Sequence, residues 1–285
     1  MIASLGYIVG AALCRVLPRG ALYRLAHFLA DLCYLVRRSM RRAVRSNLRV
    51  VLGEGPSESE IARRSRRVFH NFSERMVDFL RLGTISPEEL EQTFVIEGEE
   101  HLRRAREISR GSVLFLTAHM GNWEWGAAWL GLSGDLQGVV ARRHEARGVE
   151  ELFRRRRGAF GLTVLEERRS APGVLGLLRA GSSVGMLVDR DVTREGLDAR
   201  FFGRLARVPR AHVSLALRAG ATILPGFVVV EPGGRHRLIF EPPLDPRALG
   251  GVRGGVEACL TVLEKYIRRY PEQWLVFEPV WPGAA

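Results

Sequence analysis

His119 and Glu124 stand five residues apart in a chain of 285 residues. An imidazole can take a proton from a hydroxyl near neutral pH, and a carboxylate bonded to it fixes the tautomer and raises its basicity. The local pattern favours such a pair. An apolar, β-type run over 112–117 ends just before Ala118-His119, Gly121-Asn122 can turn the chain, and 125–132 reads as a helix. His119 therefore falls at the carboxyl end of a strand, the edge where open α/β sheets bind ligands. A turn at Gly121-Asn122 would bring the Glu124 carboxylate back to the imidazole. The same spacing also suits a buried histidine satisfied by a neighbouring glutamate.

The elements that must hold these residues alternate. Short β-type runs occur at 93–97, 112–117, 136–141, 162–166, 184–188, 222–230 and 236–240. Helical patterns fill the gaps at 99–108, 121–132, 147–159, 171–179, 209–219 and 252–269. Alternation of this kind predicts an α/β fold with helices on both faces of a mixed, mostly parallel central sheet. The last two strands, joined through Pro232-Gly233-Gly234, read as an antiparallel hairpin. Upstream, Ser57 with Glu60 forms a capping-box pattern, and Ser86-Pro87-Glu88-Glu89 marks a second helix start. Gly250-Gly251-Val252-Arg253-Gly254-Gly255 lacks the lysine of a phosphate-binding loop and reads as the opening of the last helix.

Residues 2–14 carry no charge, but thirteen helical residues span only about 20 Å against a hydrocarbon core of about 30 Å. No basic residue precedes this run, so a cleaved signal peptide is not expected. Leu22, Leu25, Phe28, Leu29, Leu32, Leu35 and Val36 then recur at helical spacing, and Arg37, Arg38, Arg41, Arg42, Arg45 and Arg49 follow. An amphipathic helix beside a basic cluster is the two-signal arrangement for an anionic leaflet. Residues 1–50 are therefore expected to be a membrane-associating segment on an anionic cytoplasmic leaflet, with an α/β domain over 51–285. Net charge is +12, and all basic residues but Lys265 are arginine, which suits phosphates and carboxylates. The run Arg154 to Arg157 has no aromatic interleaving, so nucleic acid is not expected as a partner. Cys14, Cys33 and Cys259 are far apart and exclude a disulfide framework or a cysteine-rich zinc site.

His119-Met120-Gly121-Asn122-Trp123-Glu124 resembles the H-F-G-N-W-E signature of the bacterial lipid A biosynthesis (late) acyltransferases, within the wider glycerolipid acyltransferase group. Five further blocks agree in order. Arg45-Ser46-Asn47-Leu48 resembles R-x-N-L, Asp189-Arg190-Asp191 resembles D-Q-D, and Phe201-Phe202-Gly203 resembles P-F-F-G. Gly220-Ala221 with Leu224-Pro225 resembles G-A-x-x-x-P, and Pro271-Glu272-Gln273-Trp274 resembles P-E-Q-[YW]. The D-R-D form is similar to that of the related phosphatidylinositol mannoside acyltransferases. The chain also departs from the lipid A enzymes after Trp274, where Leu275-Val276-Phe277-Glu278 replaces W-x-H-R-R.

The resemblance implies a glycerolipid acyltransferase-like fold and direct acyl transfer without a serine or cysteine nucleophile. His119, oriented by Glu124, would deprotonate an acceptor hydroxyl, and the alkoxide would attack the thioester of an acyl carrier protein or coenzyme A. The acceptor would be an anionic glycolipid, a lipid A precursor first and a phosphatidylinositol mannoside or lysophospholipid second. Substrate contacts are expected from Asn122, Arg142, Asp189, Arg190, Asp191, Phe202, Gly203 and Glu272. In that set Arg142 and Arg190 are placed on a phosphate or the oxyanion, while Asp189 and Asp191 organise arginines or bind hydroxyls. No metal or cofactor is expected. A non-catalytic lipid binder would have no need of the His119/Glu124 pair.

Overall fold

Helix-start chemistry sets the boundaries of the first elements in a computed structural model that describes residues 2–191 and 195–281. α1 (Ile2–Val16), α2 (Arg19–Val36) and α3 (Arg38–Leu52) open the chain, followed by α4 (Glu58–Arg81) and α5 (Pro87–Gln92). Ser86 and Glu89 close a full capping box at α5. At α4 only half forms: Ser57 accepts from the Glu60 N–H, but the Glu60 carboxylate turns to Arg64 instead.

The alternating part runs β1 (Phe94–Glu97), α6 (Glu99–Ser109), β2 (Val113–Thr117), α7 (Trp123–Leu132), β3 (Gly138–Ala141), α8 (Arg147–Gly158), β4 (Thr163–Glu166), α9 (Ser170–Arg179) and β5 (Val184–Leu187). After it come β6 (Leu197–Phe201), β7 (Arg204–Val208), α10 (Ala211–Ala219), β8 (Thr222–Val230), β9 (His236–Phe240) and α11 (Gly251–Arg269). Seven strands form one sheet in the order β1-β9-β8-β2-β5-β3-β4. The five from β8 to β4 are parallel, β9 is antiparallel to β8, and β1 is parallel to β9. The sheet is mixed and mostly parallel, as the alternation predicts.

β2 is central because both of its faces are apolar. Leu114, Leu116 and Ala118 pack with α9, α10 and α11 on one side. Val113 and Phe115 pack with α6 and α7 on the other. From β2 the chain leaves through α7 to β3, whereas β5 returns through α10 to β8 on the other side of β2. This divergence opens a crevice at the carboxyl ends of the strands.

The hairpin β6–β7 is absent from the sequence reading. Its buried residues, Ala199, Phe201, Ala206 and Val208, do alternate, but arginines between them mask the pattern. Phe202 and Gly203 form its two-residue turn, both at positive φ (52° and 73°), which matches the twist of a hairpin.

α2 lies on α4 and buries Leu22, Ala26 and Ala30 there. Leu22 thus faces inward, unlike the rest of its expected stripe. Leu25, Phe28, Leu29, Leu32, Leu35 and Val36 are exposed, Phe28 and Val36 to 67%. Among the described residues no helix is long and apolar enough to cross a membrane. α3 is tied to the end of the chain through Asn47, whose Nδ2 donates to the Glu278 carbonyl at 2.8 Å and whose Oδ1 accepts from the Val280 N–H at 3.1 Å.

Candidate active site

Strand register decides which carboxylate meets His119. In the β2–β5 ladder Thr117 lies opposite Leu187, and the Val188 N–H donates to the Thr117 carbonyl at 3.0 Å. Two residues further on each strand, His119 and Asp189 therefore face each other. His119 Nδ1 lies 2.8 Å from Asp189 Oδ1, and the His119 backbone N–H donates to Asp189 Oδ2 at 3.0 Å. The Trp274 indole N–H donates to the same Oδ2 at 2.8 Å.

Arg190 Nη2 stands 3.2 Å from His119 Nε2. A guanidinium only donates, so Nε2 accepts, and the ring proton sits on Nδ1, where it donates to Asp189. In that tautomer the accepting nitrogen is directed at the cavity. Burial alone would raise the Asp189 carboxyl, but His119, Arg190 and Trp274 outweigh it and hold it at about 2. It is fully ionised at neutral pH and can stabilise an imidazolium.

The expected bond between Glu124 and His119 does not form. Glu124 lies in the first turn of α7 and is held by Arg157 of α8, at 2.6 Å and 3.0 Å. Both side chains are nearly buried, and the guanidinium also rests over the Phe153 and Phe79 rings. The physical reason lies in the turn, which starts α7 away from the imidazole. Gly121 sits at φ 56°, and a Cβ there would come within 1.6 Å of the Val228 carbonyl oxygen. The Gly121 N–H donates to the Gln273 carbonyl, and the Leu275 N–H to the His119 carbonyl.

Asn122 is also turned inward, in place of the expected substrate contact. It is buried, with Nδ2 at 3.0 Å from Asp78 Oδ2 and 2.8 Å from His236 Nε2. Asp78 is completely buried and is met by Tyr23, Arg19 and Arg75. This polar core fixes the motif loop against α2 and α4.

A cavity of about 1150 Å³ opens at His119. Phe115, Leu130, Leu136, Val139, Leu238 and Phe240 wall part of it, and Arg142, Arg168, Arg190, Arg210 and Arg218 also line it. Asp191 and Glu124 line it as well. Asp191 accepts from the Gly196 N–H at 2.9 Å. The geometry therefore brings together His119, Asp189, Arg190, Asp191 and Arg142 of the expected set.

Phe202, Gly203 and Glu272 are not among the residues lining this cavity. Phe202 and Gly203 are spent on the hairpin turn, where Glu264 accepts from the Phe202 N–H and Arg268 covers the Phe202 ring at 4.9 Å. Glu272 pairs with Arg64 at 2.6 Å and lines a separate cleft of about 690 Å³. What its sequence block supplies to the site comes from its neighbours. Gln273 clamps the motif loop through its backbone and Val230 through its side chain, and Trp274 holds Asp189. Sequence reasoning missed both roles, as well as that of Arg157. It also missed Glu167, a cavity-lining carboxyl raised by burial against the pull of Arg190 and His119. A signal existed for Trp274 alone, as the conspicuous aromatic that ends a recurrent block.

A sequence profile of the family described as bacterial lipid A biosynthesis acyltransferase matches residues 1–282. Two proteins named phosphatidylinositol mannoside acyltransferase are similar across nearly the whole chain. The one from Mycolicibacterium smegmatis is 28% identical over 291 residues, covering 98% of this chain and 91% of its own length. The one from Mycobacterium tuberculosis strain H37Rv is 28% identical over 281 residues, covering 96% and 87%.

Proposed function

The chain belongs to the bacterial lipid A biosynthesis acyltransferase family, and we propose that it transfers a fatty acyl group from a thioester to a hydroxyl of a phosphatidylinositol mannoside-type glycolipid. The observation that carries the chemistry is the His119 ring, held by buried Asp189 at Nδ1 and presenting Nε2 to a cavity that is partly apolar and partly arginine-lined. In the proposed reaction Nε2 takes the proton of the acceptor hydroxyl as its oxygen bonds to the thioester carbonyl carbon. Arg190 donates to the resulting oxyanion. Collapse of the tetrahedral species breaks the carbon–sulfur bond, and the imidazolium returns its proton to the leaving thiolate.

The choice of acceptor is supported by the names of the two mycobacterial relatives and by the Asp189-Arg190-Asp191 form. Those relatives do not support the lipid A precursor expected from the central motif. Phosphate and hydroxyl groups of such a headgroup suit the arginines at the cavity and Asp191. The exposed apolar face of α2, flanked by Arg24, Arg37 and Arg38, supports placement on the anionic cytoplasmic leaflet of a bacterial plasma membrane.

The test is purified protein with acyl-coenzyme A and acyl carrier protein, offered phosphatidylinositol mannosides, a lipid A precursor and lysophosphatidylinositol, with products read by mass spectrometry. Acylated mannoside is the expected product. Transfer to the lipid A precursor alone would overturn the acceptor, and transfer to none would overturn the reading.

A further inference from the structure

The cavity at His119 extends onto both faces of the sheet. Phe115, Thr117 and His119 point to the α7 face of β2, whereas Leu116 points to the α10 face, and residues from both sets line the cavity. The α7-face lobe is walled by aliphatic and aromatic side chains. The α10-face lobe, bounded by Leu116, Met186 and Leu215, also carries His212, Ser214 and Arg218.

His212 lies in the first turn of α10. That helix leads within three residues into β8, which runs parallel to β2, so α10 runs back along the sheet and its first turn sits at the carboxyl edge that also bears His119. The His212 side chain is 2% exposed, and neither ring nitrogen has a partner among the described residues. Burial lowers its ionisation to about 3, so the ring is neutral at physiological pH, with one nitrogen donating and the other accepting. Buried polar groups are almost always satisfied, and this one lines a cavity.

A thioester has two arms that diverge from its carbonyl. The acyl chain needs a largely apolar wall, which Phe115, Leu130, Leu136, Val139, Leu238 and Phe240 of the α7-face lobe provide. The pantetheine arm is largely aliphatic but carries secondary amides, each with one donor and one acceptor. A neutral imidazole offers the complementary pair. We propose that His212 is the binding contact for an amide of the donor's pantetheine arm, seated in the α10-face lobe while the acyl chain enters the other. This rests on the acyl-transfer reading above and deepens it. Pantetheine is common to coenzyme A and acyl carrier protein.

The experiment uses the full chain and non-transferable thioethers, with affinity measured by calorimetry. S-dodecyl-pantetheine carries the amides, and S-dodecyl-thioglycerol lacks them. His212→Leu is expected to weaken S-dodecyl-pantetheine about tenfold, the loss typical of a hydrogen bond, and to leave S-dodecyl-thioglycerol unchanged. His212→Gln, which keeps a donor and an acceptor, is expected to restore most of the loss and also serves if the leucine variant folds poorly, since its affinity should then stay near wild type for both ligands. Repeating the comparison with S-dodecyl-coenzyme A and a dodecyl-pantetheinyl carrier protein identifies the source as the one the wild type binds more tightly, with His212→Leu expected to weaken it. Equal weakening of both ligands, no weakening of either, or failure of the folded glutamine variant to bind S-dodecyl-pantetheine overturns the assignment. If the wild type binds neither ligand, the acyl-thioester reading itself falls. If it binds S-dodecyl-pantetheine and His212→Leu does so equally well, only the role of His212 falls.

Discussion

The two ends of the motif from His119 to Glu124 occupy opposite kinds of environment. His119 is 24% exposed, opens onto the cavity, and takes its carboxylate from Asp189, seventy residues away. Glu124 is 11% exposed and is spent on Arg157, which joins α7 to α8. The carboxylate near in sequence serves architecture, and the one near in space serves the imidazole. Strand register moves two distant residues side by side, while a tight glycine turn sends the adjacent helix elsewhere.

Substitutions should separate the two ends by what they change. The largest effect is expected from His119→Ala, which removes the base and should lower turnover by about 100- to 10,000-fold with little change in thermal midpoint. Transfer rates per folded molecule, measured beside a melting curve, check this. Near-normal turnover would end the assignment. Asp189→Asn should come next, with a loss of at least about 100-fold, because an amide neither holds the Nδ1–H tautomer as firmly nor stabilises the imidazolium. A pH–rate profile should show the base displaced as well as weakened. Arg190→Gln follows, at roughly 100-fold for one oxyanion donor, seen in kcat with KM for the thioester little changed.

Glu124→Gln should behave differently. Removing one charge of a buried pair leaves Arg157 uncompensated, at a cost of up to about 3 kcal/mol, while turnover of the molecules that stay folded falls much less. Denaturant unfolding together with specific activity distinguishes the outcomes. A variant that keeps its stability and loses its turnover would return Glu124 to the catalytic machinery.

A pH dependence of stability tests the buried histidines rather than the motif. His212 and His236 are both lowered to about 3, His212 by burial and His236 by burial and then Arg75 and Arg19. Below about pH 6.5 the unfolded chain binds protons that the folded chain refuses, so stability falls as pH drops from about 6.5 towards 3. Each histidine contributes up to about 1.4 kcal/mol per pH unit in that window. His212→Leu should flatten the slope of unfolding free energy between pH 6.5 and 4, and an unchanged slope would mean that His212 titrates normally.

Much of the fold was legible because its signals are local. The seven sheet strands follow from runs such as Val113 to Thr117, apolar on both faces, and the starts of α4 and α5 follow from Ser57 and Ser86. The hairpin of β6 and β7 escaped because Arg200, Arg204 and Arg207 mask the alternation of its inward face. In the site, His119 was legible as a histidine following a buried strand, and Arg190 as part of a charged triplet following another. Glu272 was misplaced because it is the conspicuous charge of its block, whereas Gln273 and Trp274 make the contacts with the motif loop and Asp189.

The sequence by itself determined the strands of the main sheet and most helices, the strand edge on which His119 sits, and the family. Those depend on periodicity, turn chemistry and residue order, all of which are written along the chain. Only the tertiary structure decided that Asp189 orients His119, that Glu124 and Asn122 face inward, and that His212 lines the same cavity. Each of these is set by strand register, by the direction in which a helix leaves a turn, or by which face of the sheet a side chain meets. Such relations join residues whose separation along the chain carries no trace of their distance in space.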